Sequence, residues 1–319
     1  MKTARYFLLL LALLCCISPS LALPGILDRN KLPDGYSEGH FTYDHWDRHY
    51  WVYNPRPDDA NQPVIVLLHG GGGQGRNFRL LTKGEFEKLA RTYGAILVYP
   101  DGIDRNWNDG RQDIHAHAFQ YKIDDSGFLA TLINRIVDEQ HGDPSRVFVA
   151  GISNGAMMAN RFACDHADMI AGIAVVAGAM PKDIAPRCHP DRPIGVIQFS
   201  GTDDPLVPYG GGEVHFGRQS RGEVLSPEKS IKLWARLDGY PDGYQPTRTD
   251  LPDTDPGDCT HVMLDRYVLK KHPPVDFYMI GGGGHTWPGG DHYMPTRIIG
   301  ATSNDINATD LIWQFFMGL

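Results

Sequence analysis

The stretch of sequence that decides the fold reads Val147-Phe148-Val149-Ala150-Gly151-Ile152-Ser153-Asn154-Gly155-Ala156-Met157-Met158-Ala159. Its first four residues are apolar and predict a buried strand, and the residues from Ala156 onwards predict a helix. Glycine on each side of Ser153 allows a sharp turn in which neighbouring chains approach without a Cβ clash. A glycine-rich turn with a solvated serine is the alternative, but the strand before it and the helix after it favour a nucleophilic serine above the end of a sheet.

The rest of the chain alternates between apolar runs of strand length and longer amphipathic stretches. This pattern predicts an α/β fold, with a mostly parallel sheet covered by helices on both faces. The predicted strands are 63–68, 95–99, 146–150, 170–177, 194–200 and 275–280, and the predicted helices are 85–93, 126–140, 227–237 and a final one from Thr309. Two stretches rich in glycine, proline and charge, 209–227 and 239–258, are interpreted as surface excursions.

A serine hydroxyl is a weak nucleophile until a positioned histidine removes its proton. His285 lies in a glycine-rich loop directly after the predicted strand 275–280, and we expect it to be this base. The histidines at 40, 45, 49, 115, 117, 261 and 272 lie in polar or surface stretches, where exposure or local hydrogen bonding is expected. A carboxylate must fix the tautomer of the base, and Asp203 and Asp204 both follow the predicted strand 194–200. The chain order serine, aspartate, histidine favours one of this pair.

The loop His69-Gly70-Gly71-Gly72-Gly73 follows the predicted strand 63–68. Backbone N–H groups in such a loop can stabilise the negative charge that builds on a carbonyl oxygen during attack by a serine. We expect Gly71 or Gly72 to provide one donor and the amide of Asn154 to provide the other. A phosphate-binding loop is the alternative, but no Lys-Ser/Thr follows the glycines.

Composition excludes several classes of protein. The chain has 42% hydrophobic residues and a formal net charge of −8, which is typical of a globular enzyme and disfavours nucleic acid as a partner. A metal site is not predicted, because the sequence has no Cys-x-x-Cys and no pair of nearby histidines at ligand spacing.

The amino terminus has the pattern of an export signal. Lys2 and Arg5 precede an apolar run from residue 7 to 17, and Ser20-Leu21-Ala22 forms a small-x-small cleavage site. We therefore predict a signal peptide over 1–22, a single catalytic domain over 23–319, and a secreted or periplasmic protein. A stable membrane anchor is not expected, since the run is shorter than the ~20 residues of a spanning helix.

The chain resembles the polyhydroxybutyrate depolymerase-like esterases, a secreted group of α/β-hydrolases that includes feruloyl esterases and is related to acetylxylan esterases. The resemblance covers roughly residues 35–317. It rests on the glycine loop 68–73, the turn 151–159 around Ser153, and the segments Trp107-Asn108-Asp109-Gly110-Arg111, Asp124-Asp125-Ser126-Gly127-Phe128 and Gly282-Gly283-Gly284-His285-Thr286-Trp287-Pro288-Gly289.

The resemblance implies an α/β-hydrolase that cleaves carboxylic esters through an acyl-enzyme without a cofactor. In the family the acid is the fourth residue of a Gly-Thr-Ala-Asp turn, which corresponds to Asp204 here. Trp107 and Trp287 would lie near the substrate cleft, with packing in the core as the alternative. The chain has Asp238-Gly239-Tyr240 where relatives often carry Asn-Gly-Cys, so Cys259 lacks an evident partner.

The position of the remaining cysteines predicts a disulfide between Cys164, at the end of the helix after the serine, and Cys188, in the loop after the next strand. The expected substrate is a feruloyl-type or short acyl ester, small or oligomeric and derived from plant cell wall or polyester. Two alternatives are a polyhydroxyalkanoate depolymerase or oligomer hydrolase and, with less support, a serine peptidase of the same fold.

Overall fold

The computed structural model describes residues 34–113 and 115–319, so the predicted signal peptide lies outside the described residues. The strands are β1 (Tyr36–Tyr43), β2 (Trp46–Tyr53), β3 (Gln62–Leu68), β4 (Ile96–Pro100), β5 (Gly142–Ile152), β6 (Gly172–Val176), β7 (Gly195–Gly201), β8 (Gly212–Phe216), β9 (Gln219–Val224), β10 (Thr247–Asp250), β11 (His261–Tyr267) and β12 (Val275–Gly281). The helices are α1 (Phe78–Leu81), α2 (Glu85–Tyr93), α3 (His117–Gln120), α4 (Asp125–Glu139), α5 (Asn154–Asp165), α6 (Pro227–Leu237), α7 (Thr296–Ile299) and α8 (Ala308–Met317).

Ten of these strands form one sheet in the order β1-β2-β4-β3-β5-β6-β7-β12-β11-β10. The six strands from β4 to β12 in this order are parallel, and antiparallel pairs close both edges. The predicted strands and helices are all present, with ends that differ by a few residues. The prediction of a mostly parallel sheet is therefore confirmed.

The edge strands and hairpins are what the sequence pattern did not predict. The stretch 239–258, interpreted as a surface excursion, contributes β10 to the main sheet, and every residue of this strand is exposed. The stretch 209–227 folds as a separate antiparallel hairpin of β8 and β9. Because short edge strands bury few side chains, they lack the apolar run that identifies the central strands.

Helices cover both faces of the sheet, and each face has its own hydrophobic core. On one face, α4, α5 and α6 bury Phe128, Phe162 and Trp234 against the strands. On the other face, α2 and α8 bury Phe86 and Phe316 in the same way. The central strands are buried on both sides and read as continuous apolar runs for this reason.

The direction in which successive strands are added to the sheet reverses at β3. The chain passes from β3 to β4 on one side and then crosses to β5 on the other side of β3. In open α/β sheets, ligands bind outside the carboxyl ends of the strands at such a switch point. The carboxyl ends of β3 and β5 lead directly into the loop of Gly71 and the turn of Ser153.

A disulfide joins Cys164, at the end of α5, to Cys188, in the segment between β6 and β7, with the two Cα atoms 4.8 Å apart. This is the predicted pairing. Cys259 is exposed and has no disulfide partner among the described residues.

The disulfide predicts the number of reactive thiols in protein produced from Leu23 onwards, which contains Cys164, Cys188 and Cys259. One thiol per chain, that of Cys259, should react under native conditions, and three should react after unfolding in reductant. Replacing Cys164 and Cys188 together with serine should lower the free energy of unfolding by about 3 kcal/mol, because the unfolded chain loses a closed loop. Three reactive thiols in the native protein would contradict the pairing.

Asp238 is a buried carboxylic acid at the end of α6. It has no exposed surface, and its Oδ1 accepts one hydrogen bond, from the Ile194 N–H at 3.0 Å. Its Oδ2 has no hydrogen-bond partner within 34–113 and 115–319. Burial raises the pKa of this carboxyl from 3.8 to about 8, against the lowering effect of the Ile194 bond.

This pKa predicts a pH-dependent stability. Between pH 4 and pH 8 the carboxyl is protonated in the folded chain and ionised in the unfolded chain, so its contribution to the free energy of unfolding decreases by about 1.4 kcal/mol per pH unit. Asp238→Asn cannot ionise and should unfold with a weaker pH dependence, becoming more stable than the wild type near pH 8. Urea unfolding at pH 5 and pH 8 measures this difference, and parallel pH profiles of the two proteins would refute it.

Candidate active site

Ser153 lies on a strained turn between β5 and α5. Its backbone has φ 57° and ψ −121°, a conformation that residues with a Cβ rarely adopt. A Cβ on Gly151 would lie 2.4 Å from the carbonyl carbon of Gly155, and a Cβ on Gly155 would lie 2.2 Å from the Leu68 oxygen. Both positions therefore require glycine. Ser153 is half-buried at the carboxyl end of the sheet, on the strand-to-helix turn that the sequence predicts.

His285 and Asp204 are in direct contact. His285 Nδ1 lies 2.8 Å from Asp204 Oδ2, and each side chain is 3% exposed. The other carboxylate oxygen of Asp204 accepts the N–H groups of Leu206 and Val207, both at 2.8 Å. The Tyr293 hydroxyl donates to the carbonyl of His285 at 2.9 Å, which anchors the loop. With its orientation fixed on both oxygens, the carboxylate can hold the imidazole in one tautomer.

The two adjacent acids, Asp203 and Asp204, have different surroundings in the structure. Asp203 is exposed, and its Oδ1 accepts a hydrogen bond from the hydroxyl of Thr202. Asp204 is the one that contacts His285. Neighbouring residues that leave a strand point in different directions, so one of the two reaches the imidazole.

The three side chains follow strands that share an edge of the sheet. Ser153 follows β5, Asp204 follows β7 and His285 follows β12, and these strands are parallel members of the same sheet. Because the carboxyl ends of parallel strands meet at one edge, residues far apart in sequence lie at one end of the molecule.

The glycine loop after β3 packs against the turn of Ser153. A Cβ on Gly70 would lie 3.3 Å from the Cβ of Ser153. The Gly72 N–H donates to the Arg105 carbonyl at 2.8 Å, which leaves Gly71 as the candidate for the first oxyanion donor. Asn154 begins α5, and the first N–H groups of a helix have no partner within the helix. These observations favour Gly71 over Gly72.

His69 holds the glycine loop, a role that the sequence did not suggest. Its Nδ1 donates to the Gly70 carbonyl at 2.8 Å, and its Nε2 accepts the Gly102 N–H at 3.1 Å. Burial lowers the pKa of His69 to about 4, so the ring is neutral at physiological pH. A neutral imidazole with one donor and one acceptor can make both bonds at once.

The two tryptophans expected near the substrate cleft are both buried. Trp287 has no exposed surface, packs edge-on against Phe78, and donates from Nε1 to Thr309 Oγ1 at 3.0 Å. Trp107 is 2% exposed and donates from Nε1 to the His69 carbonyl at 2.9 Å. Both therefore support the loops of the site from beneath and do not line an open cleft.

A recess of about 840 Å³ beside α6 is lined by Tyr240, Tyr244 and Tyr267, among others, and contains none of the candidate catalytic residues. Within the described ranges, no group of three or more His, Cys, Asp or Glu side chains is placed to hold a metal ion. Over the same residues, no helix is long and apolar enough to span a bilayer.

A family model described as phospholipase/carboxylesterase matches residues 54–215, which is half of the chain. The matched range includes Gly71, Ser153 and Asp204. The chain belongs to this family. The predicted α/β-hydrolase fold is thereby confirmed.

Curated relatives include several esterases. "Putative esterase NocK" of Nocardia uniformis subsp. tsuyamanensis is 27% identical over 269 residues, which cover 81% of this chain and 74% of that protein. Feruloyl esterase B of Piromyces equi is 29% identical over 233 residues, 71% of this chain but 40% of the relative. The chain therefore spans less than half of the Piromyces enzyme.

Among solved structures, an acetyl xylan esterase from Aspergillus awamori aligns with a TM-score of 0.55 at 17% identity, over 89% of this chain and 100% of that one. Such a likeness shows the fold alone. The family and the named relatives together support carboxylic ester hydrolysis by this chain. The expected relationship to feruloyl and acetylxylan esterases is confirmed.

The two adjacent acids generate a prediction. Asp204→Asn should reduce kcat on a soluble ester by about 10⁴-fold, because an amide cannot stabilise the imidazolium and favours the wrong tautomer. Asp203→Asn is the matched control and should retain near-normal turnover, since its carboxylate is exposed. Measuring both on one ester decides the assignment, and a severe loss in the Asp203 variant alone would overturn it.

Proposed function

We propose that the chain is a serine carboxylic ester hydrolase whose catalytic triad is Ser153, Asp204 and His285. The observation that carries the proposal is the buried 2.8 Å contact between Asp204 and His285, at the sheet edge where Ser153 lies on a strained turn. An ordinary ion pair on the protein surface would not be buried in this way. A serine, a carboxylate and a histidine in this chain order match the α/β-hydrolase arrangement.

In the proposed reaction, Ser153 Oγ attacks the ester carbonyl carbon while its proton passes to Nε2 of His285. The carbonyl oxygen becomes negatively charged and accepts hydrogen bonds from the N–H groups of Gly71 and Asn154. His285 then protonates the leaving alcohol as the C–O bond breaks, which gives an acyl-serine. Water attacks the acyl carbon while His285 removes its proton, and His285 then returns this proton to Ser153 Oγ as the bond from Oγ to the acyl carbon breaks and the acid departs. Throughout, Asp204 holds the imidazole tautomer.

The proposed substrates are feruloyl-type or short acyl esters. Support comes from relatives named feruloyl esterase, at 29% and 25% identity over 71% and 85% of this chain, and from a relative named acetylxylan esterase, at 28% identity over 40% of it. The exposed Gly71 and the half-buried Ser153 leave the site accessible from solvent, which suits an ester carried on a soluble or oligomeric alcohol.

We also propose that residues 1–22 direct export and that 23–319 form one catalytic domain in a secreted or periplasmic protein. The disulfide between Cys164 and Cys188 supports an oxidising compartment, because such bonds persist outside the reducing cytosol. Expression with the native amino terminus, followed by sequencing of the exported protein, tests the cleavage after Ala22.

A substrate panel tests the function. The purified protein should hydrolyse methyl ferulate or short p-nitrophenyl esters faster than hydroxybutyrate oligomers. Ser153→Ala should reduce kcat by at least about 10⁴-fold, because the acyl-enzyme cannot form, and His285→Ala should be similarly damaging.

Ser145→Ala is the control, since this exposed serine bonds to Asp143 away from the site. Retention of more than a few per cent of activity by Ser153→Ala would refute the nucleophile. Preference for hydroxybutyrate oligomers would replace the substrate class and leave the triad in place.

A further inference from the structure

A buried ion pair lies behind Asn154. Arg111 Nη2 donates to Asp109 Oδ2 at 2.7 Å and Arg111 Nε donates to the same carboxylate at 2.9 Å. Asp109 is 2% exposed and Arg111 is 4% exposed. Taking two charges out of water is costly, and such pairs contribute little net stability compared with apolar packing. We therefore expect the pair to hold the local geometry of the segment around it rather than to add stability.

The side chain of Asn154 is bonded on both of its polar atoms. Its Oδ1 accepts the Trp107 N–H at 2.8 Å, and its Nδ2 donates to the Trp107 carbonyl at 3.0 Å. The same Nδ2 donates to Asp109 Oδ2 at 2.6 Å. These three bonds fix the orientation of the amide. If the amide were rotated by 180°, its NH₂ group would face the Trp107 N–H, which is also a donor. The side chain is thus anchored to the loop 107–111 and points away from solvent.

We propose that Asp109, oriented by Arg111, is a positioning residue that sets the backbone N–H of Asn154 for the oxyanion. The inference rests on the proposed function. Asn154 is the first residue of α5, and its side-chain anchor and its backbone N–H belong to the same residue. Because a donor stabilises the transition state when it lies about 3 Å from the developing oxyanion, a small shift of this residue lowers the rate.

The network continues to the hairpin of β8 and β9. Arg111 Nη1 donates to the Arg221 carbonyl at 2.7 Å, and Arg221 itself pairs with Asp113 at 2.6 Å. Arg221 Nη2 also donates to Asn106 Oδ1 at 3.3 Å, and this oxygen would lie 3.1 Å from a Cβ on Gly71. The hairpin thereby contacts the neighbours of both proposed oxyanion donors.

Two variants separate positioning from general damage. Asn154→Ala keeps the backbone N–H and removes the anchor, and Asp109→Asn keeps the volume and removes the charge. Each should lower kcat on a p-nitrophenyl ester about 10- to 100-fold with KM within about twofold, because the lost interaction acts in the transition state. Affinity for a trifluoromethyl ketone, whose adduct carries the oxyanion, should weaken in the same proportion.

The double variant provides the sharper readout. If both residues act through one contact, Asp109→Asn combined with Asn154→Ala should be little worse than the more damaging single variant. Asp276→Asn is the matched control, since Asp276 is 1% exposed and makes the same kind of two-bond pair with Arg266 at the far end of β12. It should retain its kcat.

Normal kcat in the folded single variants, a raised KM with unchanged kcat, or fully additive losses would overturn the inference. If Asp109→Asn does not fold, Asn154→Ala alone decides the anchoring, with melting temperature as the check on folding. A wild-type protein without esterase activity, or an active Ser153→Ala variant, would instead overturn the proposed function, so the two failures are distinguishable.

Discussion

The close approach of the β5 to α5 turn to the end of β3 is the contact on which the site depends. A Cβ on Gly155 would overlap the backbone oxygen of Leu68, so these two backbone segments can approach this closely only at a glycine. This contact bends the chain at Ser153 into a conformation that is unfavourable for a serine and is maintained by the sheet on either side. It also brings the loop of Gly71 beside Ser153. One backbone contact thus fixes both the proposed nucleophile and one proposed oxyanion donor.

The sheet supplies the remaining members of the site through strand order. β7 and β12 are neighbours in space although the segment that carries α6, β10 and β11 separates them in sequence. Their loops therefore meet, and Asp204 reaches His285 across a gap of 81 residues. The carboxylate is fixed by two N–H groups of its own loop before it meets the imidazole. Local structure sets each side chain, and the parallel sheet sets the distances between them.

The sequence predicted those parts of the molecule in which local pattern and tertiary structure agree. Buried central strands read as apolar runs, and the glycines around Ser153 identify the turn, because both signals arise within a few residues. The choice of Asp204 over Asp203 needed the family resemblance, since adjacent acids have no local difference. The sequence did not decide between a cleft and a core position for Trp107 and Trp287, which are both buried, because a large aromatic ring beside a motif fits either place. The pairing of Arg111 with the Arg221 carbonyl joins residues 110 positions apart, which no local pattern reveals.

Charged groups hold the irregular segments that apolar packing does not. The segment between β4 and α4 contains little regular structure, yet buried carboxylates fix it at two points. Asp125, paired with Arg48 at 2.6 Å, accepts the Asn108 N–H at 2.7 Å, and Asp109 accepts the Asn154 side chain. A carboxylate that receives several N–H groups holds a loop in one shape because each lost bond leaves a buried charge unsatisfied. The buried carboxylates therefore preserve the geometry around the serine in a segment that has little regular structure of its own.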